Sequence, residues 1–190
     1  PYKDRRATAT LPKDIIEISD SYAFGFHPAG IMINGEIHTV HPEPIEKAPI
    51  PLNDILQPEE EVDEEYYLND ATIEKFGYLR GPKKIERTSA EGHKYIYSEG
   101  GMSPTDDLHL PGRTMLTSEG TVNRSTHIVE VNGRKRLLTP IECERLNGFK
   151  DNWTEGMSKR MRYFCMGNAL VVDLIKDMGM KIKKIDLDEN

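Results

Sequence analysis

RLLTPIECERLNGF, residues 136–149, carries a complete set of signals for a short helix. Thr139 stands at the N-cap, Pro140 fills the first helical position, where a missing N–H costs nothing, and Glu142 completes a T-x-x-E capping box. Gly148 supplies a left-handed stop. Each cap contributes roughly 0.5–2 kcal/mol, so a helix over 140–147 keeps its place and direction without length to support it. Ile141 and Arg145 face one side and Cys143 and Leu146 the other, with Phe149 and Trp153 as aromatic anchors just beyond. The pattern predicts a bracket between two bodies.

Immediately upstream, Asn132-Gly133 joins THIVEV to RKRLLT, and Asn34-Gly35 stands between two β-prone runs inside YAFGFHPAGIMINGEIHTV, residues 22–40. Asn-Gly accepts the positive φ that a two-residue hairpin turn demands, so each predicts a hairpin. HPEPIEKAPIP, with prolines at 42, 44, 49 and 51, reads as a stiff linker, followed by a short helical turn in PLNDIL. DATIEKF, residues 70–76, predicts a brief helix capped by Asp70. Residues 77–125 read as a loop-heavy sheet with β-like pieces HKYIYS (93–98) and RTMLTS (113–118). Beyond Trp153, GMSKRMRYFCM predicts a helix that ends at Gly167, with Lys159, Arg160 and Arg162 on its polar side. Asn168 then caps ALVVDLIKDM, where Leu170, Val171, Leu174, Ile175 and Met178 form one apolar face, and KIKKIDLDEN reads as a solvated tail.

Hydrophobic residues at 37% and charged residues at 30% place the chain in the soluble globular class, and no apolar run approaches the roughly 18 residues of a membrane span. PYKDRRATATLPK lacks the apolar stretch of a secretory signal, so a cytoplasmic location is expected, with no membrane partner. Cys143 and Cys165 have no C-x-x-C spacing and read as free thiols. The net charge of −7 is uneven. Seven acids crowd residues 54–65, while Lys3, Arg5 and Arg6, then Arg80, Lys83, Lys84 and Arg87, then Arg134, Lys135 and Arg136, form basic clusters. A locally positive surface can still meet phosphates, although each cluster reads equally well as an ordinary solvated face.

Arg136-Leu137-Leu138-Thr139-Pro140, Glu142, Arg145-Leu146, Gly148-Phe149, Asp151 and Trp153 resemble the ninth motif of the cytosine-C5 DNA methyltransferases, R-x-L-T-P-x-E-x-x-R-L-Q-G-F-P-D. Asn147 stands where that motif has Gln, and Lys150 where it has Pro. Gly167-Asn168-Ala169 resembles the tenth, G-N-A/S-V. The resemblance implies an α+β fold: a β-rich target-recognition domain with hairpins, plus C-terminal helices that complete a Rossmann-like methyltransferase domain. On this reading residues 1–20 are a basic N-terminal arm, 21–133 the hairpin, linker and target-recognition region, and 134–190 a segment docking on the catalytic domain.

It further implies that Asn168 and Ala169 line an S-adenosylmethionine pocket, although Asn168 serves equally as a helix cap. PGRTMLTSEGTVNRSTH is similar to the segment that touches DNA phosphates beside the flipped cytosine, which implicates Thr114, with Thr117, Ser118 and Arg124 as neighbours. Arg80, Lys83, Lys84 and Arg87 are a second expected double-stranded DNA contact. The family attacks C6 of cytosine with the cysteine of a P-C-Q element. Neither Cys143, after Glu142, nor Cys165, after Phe164, fits, and there is no F-x-G-x-G or E-N-V element; Arg5 and Arg6 are the nearest approach to Q-x-R-x-R. No catalytic residue or metal ligand is therefore assigned. The expected function is the C-terminal part of a DNA methyltransferase of the restriction-modification kind, inactive alone and partnered by an N-terminal half. The alternatives are a non-catalytic DNA-binding specificity module, or an interaction domain with no nucleic-acid role.

Overall fold

The computed structural model of the chain describes residues 6–21 and 25–189, so Lys3 and Arg5 of the basic opening lie outside the described residues. Helix and strand are mixed, and the chain divides into two compact units, residues 1–48 and 49–190. The division falls within the proline-rich linker, whose residues 41–50 are exposed and without regular structure. It does not follow the expected boundaries at 20/21 and 133/134.

The first unit holds β1 (Arg6–Thr10), α1 (Ile15–Ser21), β2 (Ala29–Ile33) and β3 (Glu36–Val40). Asn34 and Gly35 take φ of 50° and 83°, which makes the predicted β2–β3 hairpin. β1 pairs antiparallel with the other edge of β3, Arg6 opposite Val40 and Thr10 opposite Glu36. Residues 6–10, expected as part of an arm, are thus a strand of this sheet, and Asp14 caps the helix that follows by accepting the Ile16 and Glu17 amides. The sequence RATAT alternates too weakly in hydropathy to announce a strand.

The second unit holds α2 (Asp70–Arg80), β4 (Lys83–Thr88), β5 (Lys94–Glu99), β6 (Ile128–Val131), β7 (Arg134–Leu137), α3 (Pro140–Leu146), α4 (Lys159–Asn168) and α5 (Val172–Glu189). β6–β7 is the hairpin set by Asn132-Gly133. β4–β5 is a third hairpin, turning through residues 89–93. The cap of α2 is Asn69, whose Oδ1 accepts the Thr72 amide at 2.9 Å, rather than Asp70, and the helix continues to Arg80. RTMLTS forms no strand, and the tail read as solvated is exposed and continues α5 as helix.

The core is built around α3. Leu52, Ile55, Met115, Val129, Leu138, Cys143, Tyr163 and Met166 form one buried cluster, much of it supplied by loops. Thr139 and Glu142 make the predicted capping box, and Gly148 takes φ of 78°. Glu142 does more than cap. Its two oxygens accept both arms of the buried Arg136 guanidinium at 2.7 and 2.8 Å, the Thr139 amide at 2.8 Å and the Gln57 amide at 2.8 Å. Glu144 points the opposite way and accepts the Thr154 amide and hydroxyl, the Trp153 amide and Arg162 of α4. Arg145 forms a bidentate pair with Asp151 and donates to the Ile55 and Leu56 carbonyls. The short helix is tied down on several sides.

A second polar knot centres on Asp106, which accepts Arg80, Arg113 and the Ile128 amide. Burial alone would raise its pKa, but the hydrogen bonds from Arg113, Ile128 and Arg80 outweigh it and hold the group at about 2, against an ordinary 3.8. A carboxylate with a depressed folded pKa stabilises above its unfolded value, and loses that contribution as pH falls through the folded one. Asp106 therefore supports the fold fully above about pH 4 and ceases to do so toward pH 2. Thermal unfolding midpoints of wild type and Asp106→Asn are expected to differ at pH 7 and converge on acidification; a difference that stays constant with pH contradicts this.

Candidate nucleic-acid and cofactor site

Residues 112–121 form a strap laid over α3 and α4, held there by glycines that leave no room for a Cβ. At Gly112 an added Cβ would lie 2.6 Å from Leu146 Cδ1, and at Gly120 it would lie 2.4 Å from the Tyr163 ring. At Gly167, in α4, it would lie 2.3 Å from the Thr117 amide nitrogen and 2.4 Å from the Leu116 carbonyl. From beneath, the buried Glu119 carboxylate accepts the Leu116 amide at 3.2 Å, the His127 amide and His127 Nδ1 at 2.8 Å. These close approaches, with local turns closed by Glu119 N–H to Leu116 O and Thr121 N–H to Ser118 O, are why RTMLTS cannot extend as a strand.

Of the expected site residues, Thr114, Ala169, Thr117 and Ser118 line two cavities beside the strap. The first, of about 270 Å³, is walled by Thr114 and Met115 of the strap, Asn147 beyond α3, and Met166, Gly167 and Ala169 at the end of α4. Thr117 and Ser118 line the second. Asn168 is the exposed last residue of α4, and its Nδ2 donates to the Phe164 carbonyl at 2.9 Å. It does not cap α5 as expected, because the chain takes three further residues to re-enter helix, and the Val172 amide that opens α5 donates to the Asn147 carbonyl. Asn147 also donates through Nδ2 to Met166 O at 3.0 Å, so it joins the ends of α3 and α4 to the start of α5.

The basic cluster divides. Arg80 is 2% exposed and donates to Ser103 O, Thr126 O and Asp106, so it holds loops together and has no surface for a phosphate. Lys83 donates to Leu79 O at 2.7 Å and to Glu99 at 3.2 Å; Arg124 donates to Leu79 O, Glu99 and Gly100 O. Both fasten the base of the β4–β5 ribbon. Lys84 and Arg87 remain exposed, Arg87 lying 3.9 Å over the Tyr97 ring. Sequence spacing cannot separate these four, because Arg80 is turned inward at the end of α2 and Lys83 is tied to Leu79 O and Glu99, a partner 16 residues away.

A family model described as C-5 cytosine-specific DNA methylase matches residues 21–184. The chain belongs to that family. It is 56% identical over 184 residues to the type II methyltransferase M.Sau3AI of Staphylococcus aureus, covering 97% of this chain and 44% of the relative. It is 28% identical over 168 residues to the type II methyltransferase M.HpaII of Haemophilus parainfluenzae, covering 85% and 44%. The chain thus spans less than half the length of these curated relatives. A solved structure of the Entamoeba histolytica methyltransferase EhMeth is similar over 72% of this chain and 42% of its own, with a TM-score of 0.42 and 18% identity.

Of the two cysteines, Cys143 is placed as a poor nucleophile. Cys143 is fully buried; burial pushes its thiol well above the ordinary value, and Glu119, Glu142 and Glu144 push in the same direction. Cys165 lies in α4 with its sulfur 3.9 Å from that of Met157. Glu119, Asn147 and Gly120 were not singled out as site residues by sequence, since their roles depend on how the strap packs on α3 and α4. Gly167→Ala drives a methyl group into backbone that cannot rotate away, and is expected to cost roughly 1–3 kcal/mol of stability. Denaturant unfolding measures it; a wild-type midpoint would show that the strap is not clamped there.

Proposed function

We propose that this chain supplies the DNA-recognition part and one wall of the S-adenosylmethionine pocket of a DNA (cytosine-5)-methyltransferase whose nucleophilic cysteine lies outside these 190 residues. The observation that carries this reading is the contact of Gly167 with the Leu116–Thr117 backbone. It fixes the strap of Thr114, Thr117 and Ser118 to the helix that ends in Asn168 and Ala169, so that phosphate contact and cofactor contact share one rigid frame.

On the cofactor side the residues fit one face of such a pocket. Gly167 and Ala169 leave space in the 270 Å³ cavity beside Thr114, while Asn168 between them is exposed and not among the residues that line it. When bound, S-adenosylmethionine would supply the electrophilic methyl group. On the DNA side, Thr114, Thr117 and Ser118 offer hydroxyls that position a backbone without reading bases, while Lys84 and Arg87 offer exposed cations on opposite faces of the β4–β5 ribbon. Arg80, Lys83 and Arg124 act indirectly, by holding that ribbon and the loops under it.

α5 supports the same reading. None of its residues is buried, and Leu174, Ile175, Met178, Ile182 and Ile185 form an exposed apolar stripe at helical spacing. We assign that stripe to the remainder of a Rossmann-like methyltransferase domain. No described helix is long and apolar enough to cross a membrane.

Mixing this chain with a polypeptide carrying the P-C-Q half of the enzyme is expected to produce transfer of labelled methyl groups to cytosine in duplex DNA, with neither part active alone. Ile175→Glu with Met178→Glu should abolish the restored activity and leave DNA binding by this chain intact. Methyl transfer by this chain alone, or full reconstitution by the doubly substituted chain, would overturn the reading.

A further inference from the structure

With Asn168 outside the 270 Å³ cavity, the buried polar side chain on its wall is Asn147, which is 7% exposed. Asn147 is the C-cap of α3 and reaches across to α4. Its Nδ2 donates to Met166 O at 3.0 Å and to Cys143 O at 3.4 Å. Two carbonyls around one end of a carboxamide fix which end carries the hydrogens, so the other end is Oδ1, an acceptor. Among the described residues Oδ1 has no hydrogen-bond partner, and unlike Arg80 Nε and His127 Nε2 it is not sealed from solvent. An acceptor without a donor, held still by the bonds of its own nitrogen, faces the cavity that Asn147 lines.

The surroundings select the kind of donor. α3 and α4 both bring their C-terminal ends to this cavity, through Leu146 and Asn147 and through Met166 and Gly167, and the peptide dipoles leave partial negative charge there. Arg113, the cation among the lining residues, is spent on Asp106 and on the Ser125 and Thr126 carbonyls. Met115, Leu146 and Val171 add apolar wall. Such a wall attracts a cation that carries N–H groups and disfavours a carboxylate. We infer that Asn147 is a cofactor-contacting residue, whose Oδ1 accepts a hydrogen bond from the α-ammonium of S-adenosylmethionine. The inference rests on the cofactor reading above and adds to it a polar group from the end of α3. The Nδ2 bonds aim the acceptor before the ligand arrives, so little side-chain freedom is lost on binding.

The test is calorimetric titration of this chain, paired with the P-C-Q half of the enzyme, with two ligands: S-adenosylhomocysteine, which keeps the ammonium, and methylthioadenosine, which lacks the amino-acid end. Asn147→Ala should weaken S-adenosylhomocysteine binding roughly tenfold, the scale of one hydrogen bond from a charged donor, and leave methylthioadenosine binding unchanged. Asn147→Asp gives up the Nδ2 donor but keeps an acceptor, so it should bind S-adenosylhomocysteine at least as tightly as wild type. Both substitutions should lower the thermal midpoint, because each loses the bond to Met166 O. A merely structural role predicts a different pattern, in which Asn147→Ala weakens both ligands alike and Asn147→Asp does the same. Either of those results, or wild-type affinity for S-adenosylhomocysteine in Asn147→Ala, overturns the assignment and leaves the cofactor reading standing. If the wild-type pair binds neither ligand, both fall.

Discussion

The Glu142 carboxylate is the constraint on which the second unit depends. It lies in the interior with four donors around it: two from Arg136 in β7, the amide of its own helix cap at Thr139, and the amide of Gln57 from a loop some 85 residues earlier. Burying an ion pair gains little over well-packed apolar residues, but removing one partner leaves the other charge uncompensated and costs about 3–5 kcal/mol. What the pair provides is geometry. A hairpin, a helix start and a distant loop can satisfy that carboxylate together in only one arrangement.

From that point order passes outward along α3. Cys143 enters the apolar core between two glutamates that face opposite ways, and Glu144 carries the same logic to Thr154 and Arg162 on the α4 side. α4 then presents Tyr163 and Gly167 to the strap, and Glu119 pins the strap from below. The hydroxyls proposed to meet phosphate and the small residues proposed to line a cofactor pocket are therefore positioned by a relay of buried carboxylates. Each is paired with an arginine, a histidine or a set of amides, so none remains an isolated charge.

Local grammar was legible where it is self-contained. The T-P-x-E box, the Gly148 stop and both Asn-Gly hairpins act within a few residues, and the structure has all of them. Competition between adjacent candidates was less legible: Asn69 outbids Asp70 as the α2 cap because its side chain reaches the Thr72 amide. Long-range effects were illegible. Arg80 reads as one of four surface cations, yet is swallowed by Asp106 and two carbonyls that come from loops 23 to 46 residues away. RTMLTS has strand-like residues but is bent by glycine contacts and by Glu119. The strand at residues 6–10 exists only because β3 offers it an edge.

The most direct measurement is native-state hydrogen exchange on Glu142→Gln, which keeps the shape of the side chain and removes its charge. If the carboxylate holds the unit together, the Gln57 amide and the strap amides of Glu119 and Thr121 should lose protection together, as global stability falls by about 3–5 kcal/mol. If the variant kept wild-type protection at all three amides and unfolded at the wild-type midpoint, the bracket would be ornamental and the positioning of the strap would need another cause.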